Sequence, residues 1–405
     1  MSATVMLLGI WVYSYSFFFV ILPDELRWLY ILFFPFLIGN ELWQAWHEKR
    51  LRFRINPIDW LLLAYIIYVG ISLYTTDALP LPKEVYGVEF LCRIVQPILL
   101  FIYLRLKPLD KKEIRFLSYG LMALVVIEGV FGAISLRVPE WLPLAYQPRP
   151  AHLYTRATGT LVSPEAYVVT LLFAMALMFY QSLQNESDRK ILWLGLAIGT
   201  FGVVISGNRT GWINLVILLI FMMVIDRRLI KWILGLGFVS LLTLLLIYPN
   251  FIQKSLERLQ EWRQVESRIT MHVAGLRMTL EKPLLGWGYA TYDLYDWQYM
   301  EPVGSIKATN YELASATSHN SYLTILAETG VVGFSLYMLP TLYYFIRSLF
   351  AWRKVKDKAY LSVLWIIIFM VNLAAQTADL RFFPFVLGYW WFALGLVANT
   401  LQVEQ

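Results

Sequence analysis

His319-Asn320 stands nine residues ahead of Gly330-Val331-Val332-Gly333, where a long polar segment gives way to an apolar one. An imidazole with an unperturbed pKa near ~6.5 is able to take a proton from a hydroxyl at neutral pH. The plainer role of such a histidine is to cap the helix that follows. Asn320 is placed to orient the ring or a substrate hydroxyl. Upstream, Arg209 lies in the turn Gly207-Asn208-Arg209-Thr210-Gly211. The two glycines let backbone N–H groups come close, and a guanidinium grips phosphate as a fork. An interfacial arginine also snorkels to lipid headgroups. Arg268 and Arg277 are nine residues apart in a helical segment, about two and a half turns, so they project to opposite sides. Arg268, near the start of that segment, adds its charge to the positive end of the helix dipole, a favoured place for an anion. Arg277 reads as a solvated charge.

The elements that must position these groups are membrane helices. The chain of 405 residues is 59% hydrophobic and 15% charged, against ~25% charged in soluble domains. Its apolar residues come in blocks of about twenty, the length that crosses a hydrocarbon core ~30 Å thick. The expectation is an all-α polytopic membrane protein with about twelve transmembrane helices, at roughly 3–23, 26–46, 58–75, 85–105, 114–135, 160–182, 189–207, 210–226, 229–248, 319–346, 359–378 and 382–399. These make a single integral membrane domain over 1–405, with a loop, 249–318, inserted between helices nine and ten. The first span has no lysine or arginine before it, unlike a signal peptide, and reads as retained.

Nineteen of the 34 basic residues fall in short loops on one side of this layout. The positive-inside rule makes that side cytoplasmic, with both termini. The same loops hold more than half of the basic residues, so the net charge of +6 calls for no nucleic-acid partner. Cys92 is the only cysteine, which excludes an internal disulfide and a thiolate cluster. The four histidines, His47, His152, His272 and His319, are too far apart for a metal-binding pair. No cofactor is implied.

The opposite, outer side carries the loop 136–159, the Arg209 turn and the long loop. Apolar residues at Ile269, Val273, Leu276 and Leu280 predict an amphipathic helix over Glu266–Glu281, ended by Pro283 and Gly286. Trp141, Trp262, Trp287 and Trp297 fit an interfacial aromatic belt. Gly330 and Gly333 share a helix face and read as close-packing positions, which set how span ten packs and so where His319 points. Glu89 and Arg93 are spaced as an i, i+4 ion pair, Glu128 lies within span five, and Arg156 and Glu165 flank the outer mouth of span six. Asp379 and Arg381 close the outer end of span eleven.

In order along the chain, Arg156-Ala157-Thr158-Gly159-Thr160, Ser206-Gly207-Asn208-Arg209, Ser267-Arg268 through Pro283-Leu284-Leu285-Gly286-Trp287-Gly288, and His319-Asn320-x9-Gly330 resemble the motifs of the O-antigen ligase and O-antigen polymerase superfamily of bacterial membrane glycosyltransferases. The motifs cover roughly residues 150–345. The resemblance implies a GT-C-like membrane fold and an inverting, metal-independent glycosyl transfer on the outer face of the plasma membrane. The implied donor is a glycan on undecaprenyl diphosphate. The implied acceptor is a second glycan or lipid A–core, in surface polysaccharide or lipopolysaccharide biosynthesis. By that resemblance Arg209 and Arg268 bind the diphosphate and His319 is the base, with Asn320, Arg156, Glu165, Arg277, Asp379 and Arg381 in support. Ligase and polymerase share these motifs. The alternative from another class is a twelve-span transporter or flippase of lipid-linked oligosaccharides. It predicts mid-membrane charges, broken helices and repeat symmetry, whereas the polar candidates here gather in outer loops.

Overall fold

The computed structural model describes residues 27–47, 56–77, 79–143, 147, 156–161, 163–247, 253, 263–301 and 318–402. Every regular element among them is helical. In chain order they are α1 (Arg27–His47), α2 (Trp60–Thr75), α3 (Lys83–Leu106), α4 (Lys111–Arg137), α5 (Pro164–Gln184), α6 (Glu186–Ile205), α7 (Arg209–Ile225), α8 (Leu229–Ile247), α9 (Arg263–Glu281), α10 (Tyr292–Tyr295), α11 (Ser321–Ala351), α12 (Lys358–Ala375) and α13 (Pro384–Thr400). Local sequence sets where they begin. Asp110 and Glu113 each accept from the other's backbone N–H and so start α4. Ser163 ahead of Pro164, then Asn185 and Asn208, cap α5, α6 and α7.

Six helices are long and apolar enough to cross a membrane: Pro57–Thr75, Lys83–Leu106, Lys111–Arg137, Pro164–Gln184, Ser321–Ala351 and Lys358–Ala375. The polytopic α-helical architecture stands, but the count of about twelve spans is not supported. Helices fill five more of the predicted places. However, α6 opens with Glu186-Ser187-Asp188-Arg189-Lys190, and α7 and α13 have 17 residues each, short of the ~20 apolar residues a span needs. The first predicted span, His152 and Trp262 lie outside the described residues.

The helices form two compact units, one from residues 1–33, 107–256 and 355–374, the other from 34–106, 257–354 and 375–405. In the first, α5 is buried from Pro164 to Ser182 apart from Glu165. It packs on α6, which brings Gly195 and Gly199 against Met178 and Met175. Small residues permit this approach where a branched side chain would hold the helices apart. In the second, α13 is buried along nearly its whole length. Its Trp390 and Trp391 rings stack at 5.4 Å, and Tyr337 of α11 meets both edge-on at 5.3 Å.

The second unit also contains a broken helix. Within α11, Gly330 has φ 62° and ψ −173°, a conformation that interrupts the helix and that only glycine adopts without strain. The turn Pro283–Gly288 fills the interruption. Val331 and Val332 donate to the carbonyls of Pro283 and Leu284 at 2.8 and 3.2 Å, while Trp287 and Gly288 donate to Ala327 and Glu328 at 3.0 and 2.8 Å. The Tyr68 hydroxyl reaches the carbonyls of Leu285 and Thr329 at 2.8 and 3.0 Å. Gly330 is therefore not a packing position on a continuous helix, as the sequence led us to expect. It is the break itself, and a Cβ there would lie 2.2 Å from the Leu284 carbonyl oxygen.

Helix α9 forms in the predicted place but presents a different face. Ile269, Leu276 and Leu280 are exposed, Leu280 by 78%. The buried face is Met271, Ala274 and Met278 with Ser267, Thr270 and Thr279. The reason is close approach: a Cβ on Gly275 would stand 2.8 Å from Leu323 of α11, so the helix docks through its smallest residues.

We expect Gly330→Ala to destabilise the protein by about 2–4 kcal/mol, the sum of a forbidden φ and an overpacked contact. Gly120→Ala, where nothing lies within 4 Å of the added methyl, should be neutral or stabilising. Thermal unfolding in detergent checks both, and equal melting temperatures for the two variants would contradict the break.

Candidate active site

In the second unit, the nine residues Ser321–Thr329 form a short helix between the Asn320 cap and the Gly330 break. Asn320 Oδ1 accepts from the backbone of Tyr322 and Leu323, both at 3.1 Å. Its side-chain oxygen is thus engaged in capping, the plainer of the roles expected at this position. His319, immediately before the cap, has φ +48°. A left-handed backbone is costly for a residue with a Cβ, by about 1–2 kcal/mol. The neighbouring Ser318 hydroxyl, fully buried, helps to hold it. That hydroxyl accepts from Asn320 N–H at 3.0 Å and donates to the Asn320 carbonyl at 2.6 Å.

Helix α9 carries Arg268 and, one turn later, His272. The backbone of Ser318 and His319 lies close enough to the His272 ring to favour its charged form. Burial, then the Arg268 charge, holds His272 below its ordinary titration range. Sequence reading had noted His272 only as one of four histidines; its place one turn after Arg268 was the available signal. Arg277 projects elsewhere and pairs with Glu301 at 2.7 Å, partly in solvent, where such a pair contributes little.

Behind the short helix, Arg381 makes a buried ion cluster. It donates to Glu328 at 2.8 Å and to both oxygens of Asp379, the shortest contact being 2.7 Å. Burial disfavours the Asp379 charge, but Arg381 outweighs it and holds that carboxyl below its usual range. One guanidinium between two carboxylates has no charge to spare for an anionic ligand. Arg381 and Asp379 therefore brace the site through Glu328, which sits within the short helix. Glu328 escaped notice in the sequence although a carboxylate in an apolar span is a default functional candidate. Ser321 Oγ adds a second brace, accepting from Leu380 N–H at 2.9 Å and donating to the Ala378 carbonyl at 3.2 Å. Glu89 and Arg93 form the expected pair at 3.0 Å.

In the first unit, Gly207 has φ +59° and Asn208 caps α7 through Gly211 N–H at 2.8 Å. Arg209 is the first residue of that helix. Glu165 organises the surroundings: it accepts from Arg156 at 3.0 Å, from Asn208 Nδ2 at 3.2 Å and from Ser163 Oγ at 3.0 Å. Arg156 is thereby neutralised. Glu128 accepts from both the backbone N–H and the hydroxyl of Thr160, which accounts for the Gly159-Thr160 part of the motif, since Gly159 has φ +57° and any Cβ there would strike Glu128. Arg209 differs. Its Nη2 is buried without a hydrogen-bond partner among the described residues, and no carboxylate pairs with it there.

Residues 194–338 match the family model described as O-antigen ligase. The matched stretch contains Arg209, Arg268, the Pro283–Gly288 turn, His319 and Gly330. The match takes in 145 of the 405 residues, and over that stretch the chain is similar to a family of membrane glycan transfer. Arg156, Asp379 and Arg381 lie outside the match. No curated protein matches the chain.

Asp296, in the loop beyond α10, is 2% exposed and pushed up to about 6 by burial, and its Oδ2 has no partner among the described residues. From about pH 4 to 6 the folded protein keeps a proton there that the unfolded chain has released, so stability falls as pH rises through that window. Asp296→Asn removes the loss. We expect it to stabilise the protein at pH 8 by about 1–2 kcal/mol and to do little at pH 4. Melting curves at the two pH values check this, and an equal effect at both would contradict it.

Proposed function

We propose that the protein transfers a glycan from undecaprenyl diphosphate to a sugar hydroxyl of a second glycan or of lipid A–core, on the outer face of the bacterial plasma membrane. The observation that carries this reading is the Arg209 guanidinium. Arg93, Arg105, Arg115, Arg156, Arg277 and Arg381 each hold a carboxylate, whereas Arg209 has a buried nitrogen with no partner among the described residues. Such a cation at a helix N-terminus suits an anionic ligand, and a diphosphate leaving group is the anion this family of reactions releases.

In the proposed reaction the acceptor oxygen attacks the anomeric carbon as the bond from that carbon to the diphosphate oxygen breaks. The sugar configuration inverts. The hydroxyl proton passes to His319, and the negative charge accumulating on the diphosphate is stabilised by Arg209 and Arg268. With two guanidinium groups in that role the chemistry is metal-independent, so chelation should leave the rate unchanged. The strained His319 backbone supports the base role, since strain of this kind is retained where a side chain must be aimed.

Purified protein in lipid nanodiscs is given undecaprenyl-diphosphate glycan, alone and with lipid A–core. A ladder from the donor alone identifies a polymerase, and one shifted lipid A band a ligase. We expect His319→Ala to lower the rate ~10²–10⁴-fold and Arg209→Gln ~10²–10³-fold. Absence of product under every condition, or undiminished transfer by His319→Ala, contradicts the proposal.

A further inference from the structure

The first unit holds an apolar cleft that the proposed reaction leaves unused. It lies between α6, α7 and α8, lined by Trp193, Leu196, Met222, Leu229, Ile233 and Gly237. Leu229, Ile233 and Gly237 follow one another at four-residue spacing, so they form one stripe along α8, about 12 Å long. Nothing lies within 4 Å of where a Cβ on Gly237 would stand, so the stripe leaves room at that end. Leu194 and Phe238, each next to a lining residue in sequence, are exposed by 60% and 63%. In a polytopic helical protein, apolar surface of this kind is in contact with lipid chains.

Positive charge gathers at the other end of the stripe. Arg227 and Arg228 stand in the turn just before Leu229, where Leu229 N–H donates to the Asp226 carbonyl at 3.0 Å and Ile230 N–H to the Arg227 carbonyl at 3.3 Å. Lys190 lies one turn of α6 before Trp193, on the same side of that helix. All three cations are exposed, and none makes an ion pair among the described residues. The nearby carboxylates are engaged. Asp188 holds Arg115 at 2.8 Å and Glu186 holds Arg189 at 3.8 Å. Asp226 Oδ1 accepts from the Arg228 backbone N–H at 3.0 Å. Three cations against the single remaining charge of Asp226 leave a positive surplus. This end is also remote from Arg209, which begins α7, whereas Met222 lies in the last turn of α7, about 20 Å further along.

We propose that this cleft binds a membrane phospholipid with an anionic headgroup. One acyl chain lies along the Leu229–Gly237 stripe, and the phosphate is held by Lys190, Arg227 and Arg228. An apolar groove with cations at one end is complementary to a molecule with an apolar tail and an anionic head. Lys and Arg at a membrane surface attract anionic headgroups, and a guanidinium binds phosphate as a fork. A lipid without net charge fills the groove but leaves the positive surplus unmet. The undecaprenyl-diphosphate donor of the proposed reaction also has a tail and phosphates. Its diphosphate is assigned to Arg209, at the opposite end of α7, so the occupant here is a phospholipid. The inference does not depend on glycosyl transfer.

Native mass spectrometry of the full chain tests this. The protein is released from nanodiscs containing equal amounts of phosphatidylglycerol and phosphatidylcholine with matched chains, and the retained lipid is identified. We expect the wild type to retain phosphatidylglycerol over phosphatidylcholine by at least about fivefold. Gly237→Leu fills the cleft and should lose both lipids. Gly235→Leu is its control: Gly235 is in the same helix, also has nothing within 4 Å of an added Cβ, and does not line the cleft. It should retain lipid as the wild type does. Both changes replace glycine in a helix by a better helix former, so neither should impair folding. The double variant Arg227→Gln/Arg228→Gln, altered only in an exposed turn, should still retain lipid but with the preference reduced to roughly twofold or less. Equal retention of the two lipids by the wild type overturns the proposal. So does unchanged retention in Gly237→Leu, or equal loss in Gly235→Leu. Displacement of the phospholipid by added undecaprenyl diphosphate overturns it as well, and would assign the cleft to the donor's tail.

Discussion

The second unit depends on one interlock of backbone with backbone. A helix broken in apolar surroundings exposes N–H and C=O groups that cost several kcal/mol each if left unpaired. At Gly330 those groups are matched by the Pro283–Gly288 turn, strand-fashion, through four main-chain hydrogen bonds of 2.8–3.2 Å. The match needs glycine on both sides, because Gly286 and Gly330 each meet the other segment's backbone at distances no Cβ tolerates. Once the turn is seated, helix α9 just before it is held against the first segment of α11, and the start of that segment can project in only one direction. Broken helices also occur in transporters, where the freed backbone lines a cavity for ions. Here the described bonds are satisfied by the protein's own turn.

Seen from the interlock, the spacing between His319 and Gly330 is a length. Nine residues make a helix of about 13 Å, capped by Asn320 at one end and closed by the break at the other. The short helix is anchored on three sides: by the turn, by Arg381 through Glu328, and by the 378–380 backbone through Ser321. The residues that carry out this anchoring are saturated with partners, which separates them chemically from Arg209. Charged groups within each unit thus divide into those that build it and those left with capacity to bind, and counting carboxylates per guanidinium makes the division.

Much of this was legible in the sequence, for physical reasons. Long apolar blocks leave few alternatives to membrane helices, and α9 followed from apolar periodicity with Pro283 as its stop. The phase of α9 was not legible. In a membrane protein an apolar stripe is not obliged to face protein, and Ala274 and Gly275 won the contact because they allow close approach. The role of Gly330 was hidden because a glycine at helical spacing looks the same whether it permits packing or breaks the helix; only its φ tells. Counting spans by apolar length overshot where polar openings, as in α6, shorten the usable stretch. Glu328 was overlooked because attention went to the outer loops, and Ser318 because a serine before a histidine carries no signal until its hydroxyl is seen bonding across the turn.

The proposed mechanism separates gripping the donor, assigned to Arg209 and Arg268, from taking the proton, assigned to His319. Equilibrium binding of undecaprenyl-diphosphate glycan to His319→Ala, measured beside Arg268→Ala and the wild type in nanodiscs, tests that separation most directly. The account predicts wild-type affinity for His319→Ala and an affinity lowered at least tenfold for Arg268→Ala. Equal loss of donor binding in both variants, or none in either, would contradict it.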